Sequence, residues 1–371
     1  MHVKFVDLAR EYQLLAPLLH ECLERVGQSG HYILGPEVEA FEQEFARYCG
    51  SRHAVAVANG SDALMLSLFC LGVGAGDEVV TPANSFIASA WVIARTGARI
   101  VFCDVREDDM NLDPECLKKV VNERTKVIMP VHLTGRVARM EEIQAIANSC
   151  GAKVMEDAAQ AVGADRFGKR AGSFGWCAGF SLYPLKNLHG YGDGGVITCD
   201  DDDFAAHLRQ YRNHGLKNRD VCEFWGINSR LDELQAAFLR CKLPRLDEWN
   251  QRFQAIARRY QQSLGDHYCL PPWEESESPV FHRYIIQHPE RDKLAEFLLK
   301  RGVETKVNYP IALHLQPAAR ELGYQLGDFP VSERLCERIL SLPMHAQMRD
   351  DEVDYVIEQM LAYVPQGQAV V

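Results

Sequence analysis

Residues 180–195 read Phe180-Ser181-Leu182-Tyr183-Pro184-Leu185-Lys186-Asn187-Leu188-His189-Gly190-Tyr191-Gly192-Asp193-Gly194-Gly195. A strand-like run, Cys177 to Tyr183, is stopped by Pro184, which fixes φ and has no N–H to give to a ladder. Lys186 therefore lands in a turn, and the glycines after it let backbone approach closely. Upstream, the strand-like Ala152-Lys153-Val154-Met155 ends in Glu156-Asp157-Ala158-Ala159-Gln160. A lysine amine with a carboxylate partner some distance away is what a pyridoxal phosphate site needs. The amine forms a Schiff base, and the carboxylate keeps the pyridine nitrogen protonated so that the ring accepts electrons. A lysine after a strand is most often a plain surface lysine, and alone this one reads so.

The surrounding pattern argues for an α/β fold. Apolar strand-like runs occur at 53–58, 78–82, 99–105, 126–133, 152–157, 177–183 and 195–199, with helical patterns near 62–71, 86–95, 114–121 and 139–148. Continuous rather than alternating apolar strands, separated by helices, predict a mostly parallel central sheet covered on both faces. After the first run comes Asn59-Gly60-Ser61-Asp62, then the apolar Ala63-Leu64-Met65-Leu66-Ser67-Leu68. Ser61 or Asp62 suits the helix N-cap, and Gly60 a tight turn. Such a strand–turn–helix aims free N–H groups and a positive dipole end at one point, which suits a phosphate. An ordinary βα turn has the same sequence, and locally both readings stay open. Ser181 could add a hydroxyl to the same phosphate.

Five segments in one order resemble a known family: Asn59 to Leu64, Thr81-Pro82-Ala83-Asn84-Ser85-Phe86, Glu156 to Gln160, Ser181 to Gly195, and Gly226-Ile227-Asn228-Ser229-Arg230-Leu231-Asp232. The chain is similar to the fold-type-I sugar aminotransferases of the DegT/DnrJ/EryC1/StrS family, from about Phe5-Val6-Asp7-Leu8 to Ser341-Leu342-Pro343-Met344. The resemblance implies pyridoxal 5'-phosphate as cofactor, with Lys186 as its Schiff-base lysine and proton-moving base. Asp157 would pair with the pyridine nitrogen, Gln160 would bond the phenolic oxygen, and Phe86 would stack on the ring. Gly60, Ser61, Asp62 and Ser181 would hold the phosphate, and Asn228 would reach it from a neighbouring subunit, making the active unit a homodimer with shared sites.

For substrate, the resemblance implies L-glutamate as amino donor and a nucleotide-linked keto-sugar as acceptor, aminated at C3, in amino-sugar, surface-polysaccharide or glycoside biosynthesis. A C4 aminotransferase, a sugar dehydratase, and a non-catalytic cofactor-binding regulator are the other readings. Lys186 argues against the dehydratase, whose subgroup carries histidine there, and no basic domain supports a regulator. Arg230, whose planar fork suits phosphate or carboxylate, is the leading anion-binding candidate, with an interface salt bridge as its alternative. His314 lies in a segment, Tyr309 to His314, that the family brings to the site. Tyr183, His189 and Tyr32 are substrate candidates that suit packing equally well.

Composition sets the limits. At 371 residues and 47% hydrophobic, the chain supports one large and one small domain. Pro244 divides a long helical pattern that begins near Arg230. A cofactor-binding domain over 1–245 is expected, with 1–50 packing against the other domain, and a smaller C-terminal α+β domain over 246–371. The latter begins Tyr284-Ile285-Ile286-Gln287, a helix near 292–301, then Val303 to Tyr309. The acidic Glu274-Glu275-Ser276-Glu277-Ser278-Pro279 reads as solvated loop, and Gln366 to Val371 as a frayed end.

Forty basic and 51 acidic residues give a net charge of −11, which disfavours nucleic acid and anionic membrane as partners. Apolar runs fall short of a membrane span, and the start carries no signal-peptide pattern, so a cytoplasmic enzyme is expected. Twelve cysteines, none in C-x-x-C spacing, fit a reducing compartment and buried apolar roles. His132 has no ligand partner at useful spacing, so it reads as a hydrogen-bonded structural histidine, and no metal is expected.

Overall fold

The computed structural model describes residues 1–363, so the segment from Gln366 to Val371 lies outside the described residues. Two helices, α1 (Leu8–Ser29) and α2 (Pro36–Cys49), precede the first strand, β1 (His53–Val57). Helix and strand then alternate through α3 (Gly60–Cys70), β2 (Glu78–Pro82), α4 (Ile87–Thr96), β3 (Arg99–Cys103), α5 (Pro114–Val120), β4 (Thr125–Ile128), α6 (Met140–Cys150) and β5 (Lys153–Asp157). Strands β6 (Cys177–Ser181) and β7 (Gly195–Cys199) follow, then helices α7 (Asp202–Tyr211), α8 (Glu233–Lys242) and α9 (Leu246–Leu264). The remainder holds β8 (Tyr284–Gln287), α10 (Arg291–Lys300), α11 (Pro330–Arg338), β9 (Ile339–Leu342) and α12 (Asp350–Tyr363).

The main sheet has seven strands in the order β1-β7-β6-β5-β4-β2-β3. All pairings are parallel except those of β7, which runs antiparallel to both β1 and β6. β7 reverses because the segment 182–194 that joins it to β6 holds the Lys186 turn and no helix to carry a parallel crossover. Hydrophobic clusters cover both faces. One holds Phe41, Phe45 and Phe180, whose rings lie 5.6 and 5.1 Å apart in succession. The other holds Val55, Leu64, Val79, Phe102 and Met155. Sheet strands buried on both sides have no polar face to alternate with, hence their unbroken apolar runs.

Glycines bring α3 close to β6. A Cβ on Gly179 would stand 2.7 Å from the Leu64 side chain, and one on Gly60 would stand 2.6 Å from the Ser181 Cβ. The helix start differs from the expectation. Asn59, not Ser61 or Asp62, is the N-cap, its Oδ1 accepting from the Asp62 N–H at 2.8 Å, and Gly60 is the first helical residue. An Asn cap stabilises a helix by ~1 kcal/mol, and here it leaves the Ser61 hydroxyl free.

A third cluster gathers α9, β8, α10, β9 and α12 around Tyr260, Tyr284, Leu298, Leu340 and Met360, and it also takes in Val3. α8 ends at Lys242 and α9 starts at Leu246, with Pro244 in the 3-10 turn between them. This packing supports a domain division near Pro244 as a proposal, with a refinement for the N-terminus. Only its first residues join the C-terminal cluster, through the Val3–Val303 bridge, while α1 and α2 pack on α8. Val303 to Tyr309 makes isolated bridges, Val3–Val303 and Lys306–Ser341, instead of a continuous strand.

The acidic loop corrects the solvated reading. Glu277 is buried and lies 2.8 Å from Arg136 and 3.7 Å from Arg166, while Glu274 meets Arg139 and Arg166 at 3.3 and 3.4 Å. Only Glu275 of the three is exposed. Three arginines pull the run inward, and a buried pair that loses one partner costs ~3–5 kcal/mol. All twelve cysteines are free thiols. Among the described residues no helix is long and apolar enough to cross a membrane.

Candidate active site

A cavity of ≈ 460 Å³ opens where the parallel strands present their carboxyl ends. Asn59, Gly60 and Ser61 reach it after β1, Ser85 and Phe86 after β2, Asp157 and Gln160 at and after β5, and Ser181, Tyr183 and Lys186 at and after β6. His282, Arg283, Asn308 and Tyr309 close it from the C-terminal part.

One end is built for an anion. The N–H groups of a helix's first turn have no partner within the helix, and Asn59 occupies those of Asp62 and Ala63 at 2.8 and 3.0 Å. The N–H groups of Gly60 and Ser61 remain for a ligand, beside the Ser61 and Ser181 hydroxyls and at the positive end of α3. Any side chain at residue 60 would collide with Ser181, so the cradle needs this glycine.

The other end is built for a cation. Asp157 is buried; its Oδ2 accepts from the Ser89 hydroxyl at 2.8 Å and its Oδ1 from the Ala159 N–H at 3.2 Å. Ser89 pairs in turn with Ser85, oxygen to oxygen, at 2.8 Å. Burial pushes the Asp157 carboxyl up, against the pull of Ser89, Ala159 and Lys186. Glu156, next in sequence, faces the opposite way. It accepts from the N–H groups of Gly172, Phe174 and Gly175 and pairs with His132 Nε2 at 2.9 Å. The Ala138 N–H donates to His132 Nδ1 at 3.2 Å, so both ring nitrogens have structural partners. Alternation along a strand separates the two carboxylates: one serves the fold and the other the cavity.

Between these ends lies Lys186. Its N–H donates to the Tyr183 carbonyl at 2.8 Å, closing the turn that Pro184 begins. Burial pulls its amine down to about 8, helped by the charge of Arg283 and opposed by Asp157. An amine so placed spends a substantial fraction of its time neutral near physiological pH, the form with a lone pair to use. Its carbonyl faces His189 Nδ1 at 2.8 Å, and His189 Nε2 lies 3.1 Å from Glu11. Lys242 completes this buried group, 2.8 Å from Glu11 and donating to the His189 carbonyl at 3.0 Å. Burial works to raise the Glu11 carboxyl, but His189 and Lys242 outweigh it and hold it at about 2.

Of the residues expected at the site, Gly60, Ser61, Phe86, Asp157, Gln160, Ser181, Tyr183 and Lys186 line one cavity. Gln160 is held by the Thr134 N–H, donated to its Oε1 at 2.8 Å, and Phe86 lies 5.7 Å from Tyr309, ring to ring. The Asp62 carboxylate accepts from the Ser229 hydroxyl at 2.6 Å, so it anchors the loop before α8 and does not line the cavity.

The expected substrate residues divide. Only Tyr183 lines the cavity. His189 is buried behind Lys186, and His314 is buried against Phe329 with its Nε2 2.9 Å from Glu333. Neither ring reaches the cavity, because each is held by a carboxylate elsewhere. Arg230 donates to Asn213 at 3.0 Å, and Asn228 is exposed; neither lines the cavity of its own chain. The Tyr32 ring is exposed, while its carbonyl accepts from the Glu233 N–H.

Ser85, Ser89, His282, Arg283, Asn308 and Tyr309 were not singled out as ligand residues from sequence. His282 is buried, with Nδ1 facing Asn187 Oδ1 at 3.3 Å, and burial with the charges of Arg283 and Lys186 keeps its ring neutral. Ser85, within the Thr81–Phe86 segment, Ser89 just after it, and Tyr309, at the head of the Tyr309–His314 segment, carried a signal that could have found them.

The sequence model of the DegT/DnrJ/EryC1/StrS aminotransferase family matches residues 17–361. The "Pleiotropic regulatory protein" of Geobacillus stearothermophilus is 42% identical over 367 residues, covering 98% of this chain and 99% of the relative. The dTDP-3-amino-3,4,6-trideoxy-alpha-D-glucose transaminase of Streptomyces venezuelae is 40% identical and covers 96% of this chain and 94% of its own length. The solved structure of S. venezuelae DesV, in complex with an intermediate, has a TM-score of 0.96 at 40% identity, with 98% of both chains covered.

Proposed function

This chain belongs to the DegT/DnrJ/EryC1/StrS aminotransferase family, and we propose that it is a pyridoxal phosphate-dependent transaminase carrying an amino group from L-glutamate to C3 of a nucleotide-linked keto-sugar. The observation that carries this reading is one cavity holding a half-buried Lys186 with a depressed amine, a buried Asp157, and an anion cradle at the start of α3. The residues fit the cofactor at each end: a buried carboxylate suits a protonated pyridine nitrogen, and the Gly60–Ser61 N–H groups with Ser181 suit its phosphate.

When bound, pyridoxal phosphate supplies a carbonyl carbon that links to amines and a protonated ring that takes up the electron pair of a broken C–H bond. Lys186 would do the proton work: its neutral amine would take the proton from the donor's amine-bearing carbon and release it to the cofactor within that half-reaction, and in the second it would deliver a proton to the carbon of the keto-sugar. Asp157, fixed by Ser89 and Ala159, would supply the charge that keeps the ring nitrogen protonated. Phe86 and Tyr309 wall the cavity, and Gln160 holds a polar group at its edge.

A dimer with shared sites is part of the same reading. Asn228 is exposed three residues after Trp225, which is 91% exposed, and a tryptophan so bare, a residue type that is usually well buried and is enriched at interfaces, supports a protein contact there. Asn228 of one chain would then complete the phosphate cradle of the other by donating an amide N–H. Lys186→Ala and Asn228→Ala chains, each poorly active alone, are expected to regain activity when refolded together, because one site in the mixed dimer is intact. A fully active Asn228→Ala protein, or an active monomer, removes the shared site.

Incubation with L-glutamate and a panel of 3-keto and 4-keto sugar nucleotides tests the reaction. Mass spectrometry and NMR are expected to find the 3-keto group replaced by an amine, with an equivalent of 2-oxoglutarate. Amination of 4-keto sugars alone would overturn the C3 assignment.

A further inference from the structure

Arg283 is a cation without a carboxylate partner among the described residues. It lines the cavity together with Lys186, Asn308 and Tyr309. Three other buried or half-buried arginines meet carboxylates: Arg136 with Glu277, Arg212 with Glu42, Arg10 with Glu352. Among the described residues no carboxylate pairs with Arg283. Burial lowers its guanidinium to about 10, with only the nearby Tyr309 pulling the other way.

The residue is held in place. Its backbone N–H donates to the Thr134 carbonyl at 3.3 Å, one side-chain Nη donates to the His282 carbonyl at 2.9 Å, and the guanidinium lies 5.0 Å from the centre of the Phe5 ring. The following residue opens β8, so the base of the side chain is fixed to a strand. A planar fork fixed in a partly dry cavity is suited to a carboxylate, which can accept two parallel N–H bonds from it.

We infer that Arg283 is the carboxylate receptor of the active site and binds the α-carboxylate of the amino donor. This rests on the transaminase reading and adds a substrate contact to it. Proximity to Lys186 decides between donor and acceptor. Arg283 and Lys186 line the same cavity, and the Arg283 charge acts on the Lys186 amine, so a carboxylate bound by Arg283 lies near the reacting atoms. An α-carboxylate hangs directly on the carbon being oxidised, whereas the diphosphate of a sugar nucleotide is separated from the reacting carbon by the sugar ring. A carboxylate carried by the sugar itself is the other source of the same chemistry.

The test is to run the two half-reactions separately on cofactor-loaded enzyme. In Arg283→Gln the efficiency with L-glutamate is expected to fall by about 30-fold to several thousand-fold, the effect of losing one member of a desolvated charge pair. Transfer from the amino-loaded enzyme to a neutral keto-sugar nucleotide should change by less than threefold on the alkaline plateau, where Lys186 is neutral with or without the charge of Arg283. Glutarate, a non-reacting dicarboxylate, should bind the variant more weakly by calorimetry in the same proportion. A loss confined to a sugar nucleotide bearing a carboxylate would keep Arg283 as a carboxylate receptor and move the source to the acceptor.

Parent-like efficiency with glutamate and every acceptor overturns the inference, as does an equal loss with glutamate and the neutral sugar. Arg283→Lys retains charge without the fork and guards against a folding defect. It should lose at least tenfold with glutamate, and parent-like behaviour there overturns the inference too. If no keto-sugar accepts the amino group, the glutamate half-reaction still reads Arg283, so the two failures are distinguishable.

Discussion

Lys186→Ala is expected to lower turnover by at least ~10⁴-fold, since it removes both the covalent attachment point and the group that moves the proton. The fold should persist. The turn at residue 186 is made by backbone: its N–H to the Tyr183 carbonyl, and its own carbonyl to His189. Alanine keeps both. The lysine side chain also carries a cost, because burial disfavours its charged form, and that cost disappears with the amine. Melting of the two proteins without cofactor should therefore agree closely, with the variant no less stable. After borohydride reduction, peptide mapping of the parent should find the cofactor on Lys186, and the variant should retain none covalently. A cofactor-tagged lysine elsewhere, or turnover within a hundredfold of the parent, would sink the assignment.

Asp157→Asn is the second large effect, about 10²- to 10⁴-fold in kcat, the range associated with one essential charge or proton-handling group. Its geometry should survive. An asparagine amide can accept from the Ala159 N–H through its oxygen and offer its NH₂ toward the Ser89 oxygen, the positions where the carboxylate now has partners. What goes is the charge that keeps a ring nitrogen protonated, so cofactor should remain bound while catalysis fails. Measuring cofactor content alongside kcat separates the two. Activity within a few fold of the parent would remove Asp157 from this role.

Much of this architecture is legible in sequence because each level repeats the same message. Val55, Val80, Ile128 and Met155 sit in unbroken apolar runs since the strands that carry them are covered on both faces. Gly60, Ser61, Asp157 and Lys186 lie at strand ends, where an open sheet leaves room for a ligand. The reversal of β7 is visible only as a connection without a helix, and sequence alone does not say which way a strand runs.

The misreadings share a cause of another kind: partners far away in the chain. Glu277 looks solvated until Arg136 and Arg166 are brought to it. His189 and His314 look available until Glu11 and Glu333 claim their rings. Arg283 was passed over because no local motif marks it, and in the Tyr309–His314 segment attention fell on His314 although Tyr309 is the residue that lines the cavity with Lys186. Arg230 drew attention as a cation in a recognisable segment, yet within the chain it bonds Asn213.

The start of the chain meets nearly its end. Val3 bridges to Val303, Arg10 holds Glu352 with both ends of its guanidinium, and Glu11, next to it, reaches the histidine behind Lys186. For a polypeptide made from its N-terminus, this sets an order of completion. Lys186 leaves the ribosome on the order of ten seconds before Arg283 and Tyr309 at typical synthesis rates, and Glu352 emerges later still. The half-made protein thus possesses its reactive amine well before it possesses the wall that encloses it, and α1 stays without its far partner until Glu352 has emerged. The cavity is finished by Arg283 and Tyr309, translated well after its lysine, so a chain stopped before them carries the lysine but not the site.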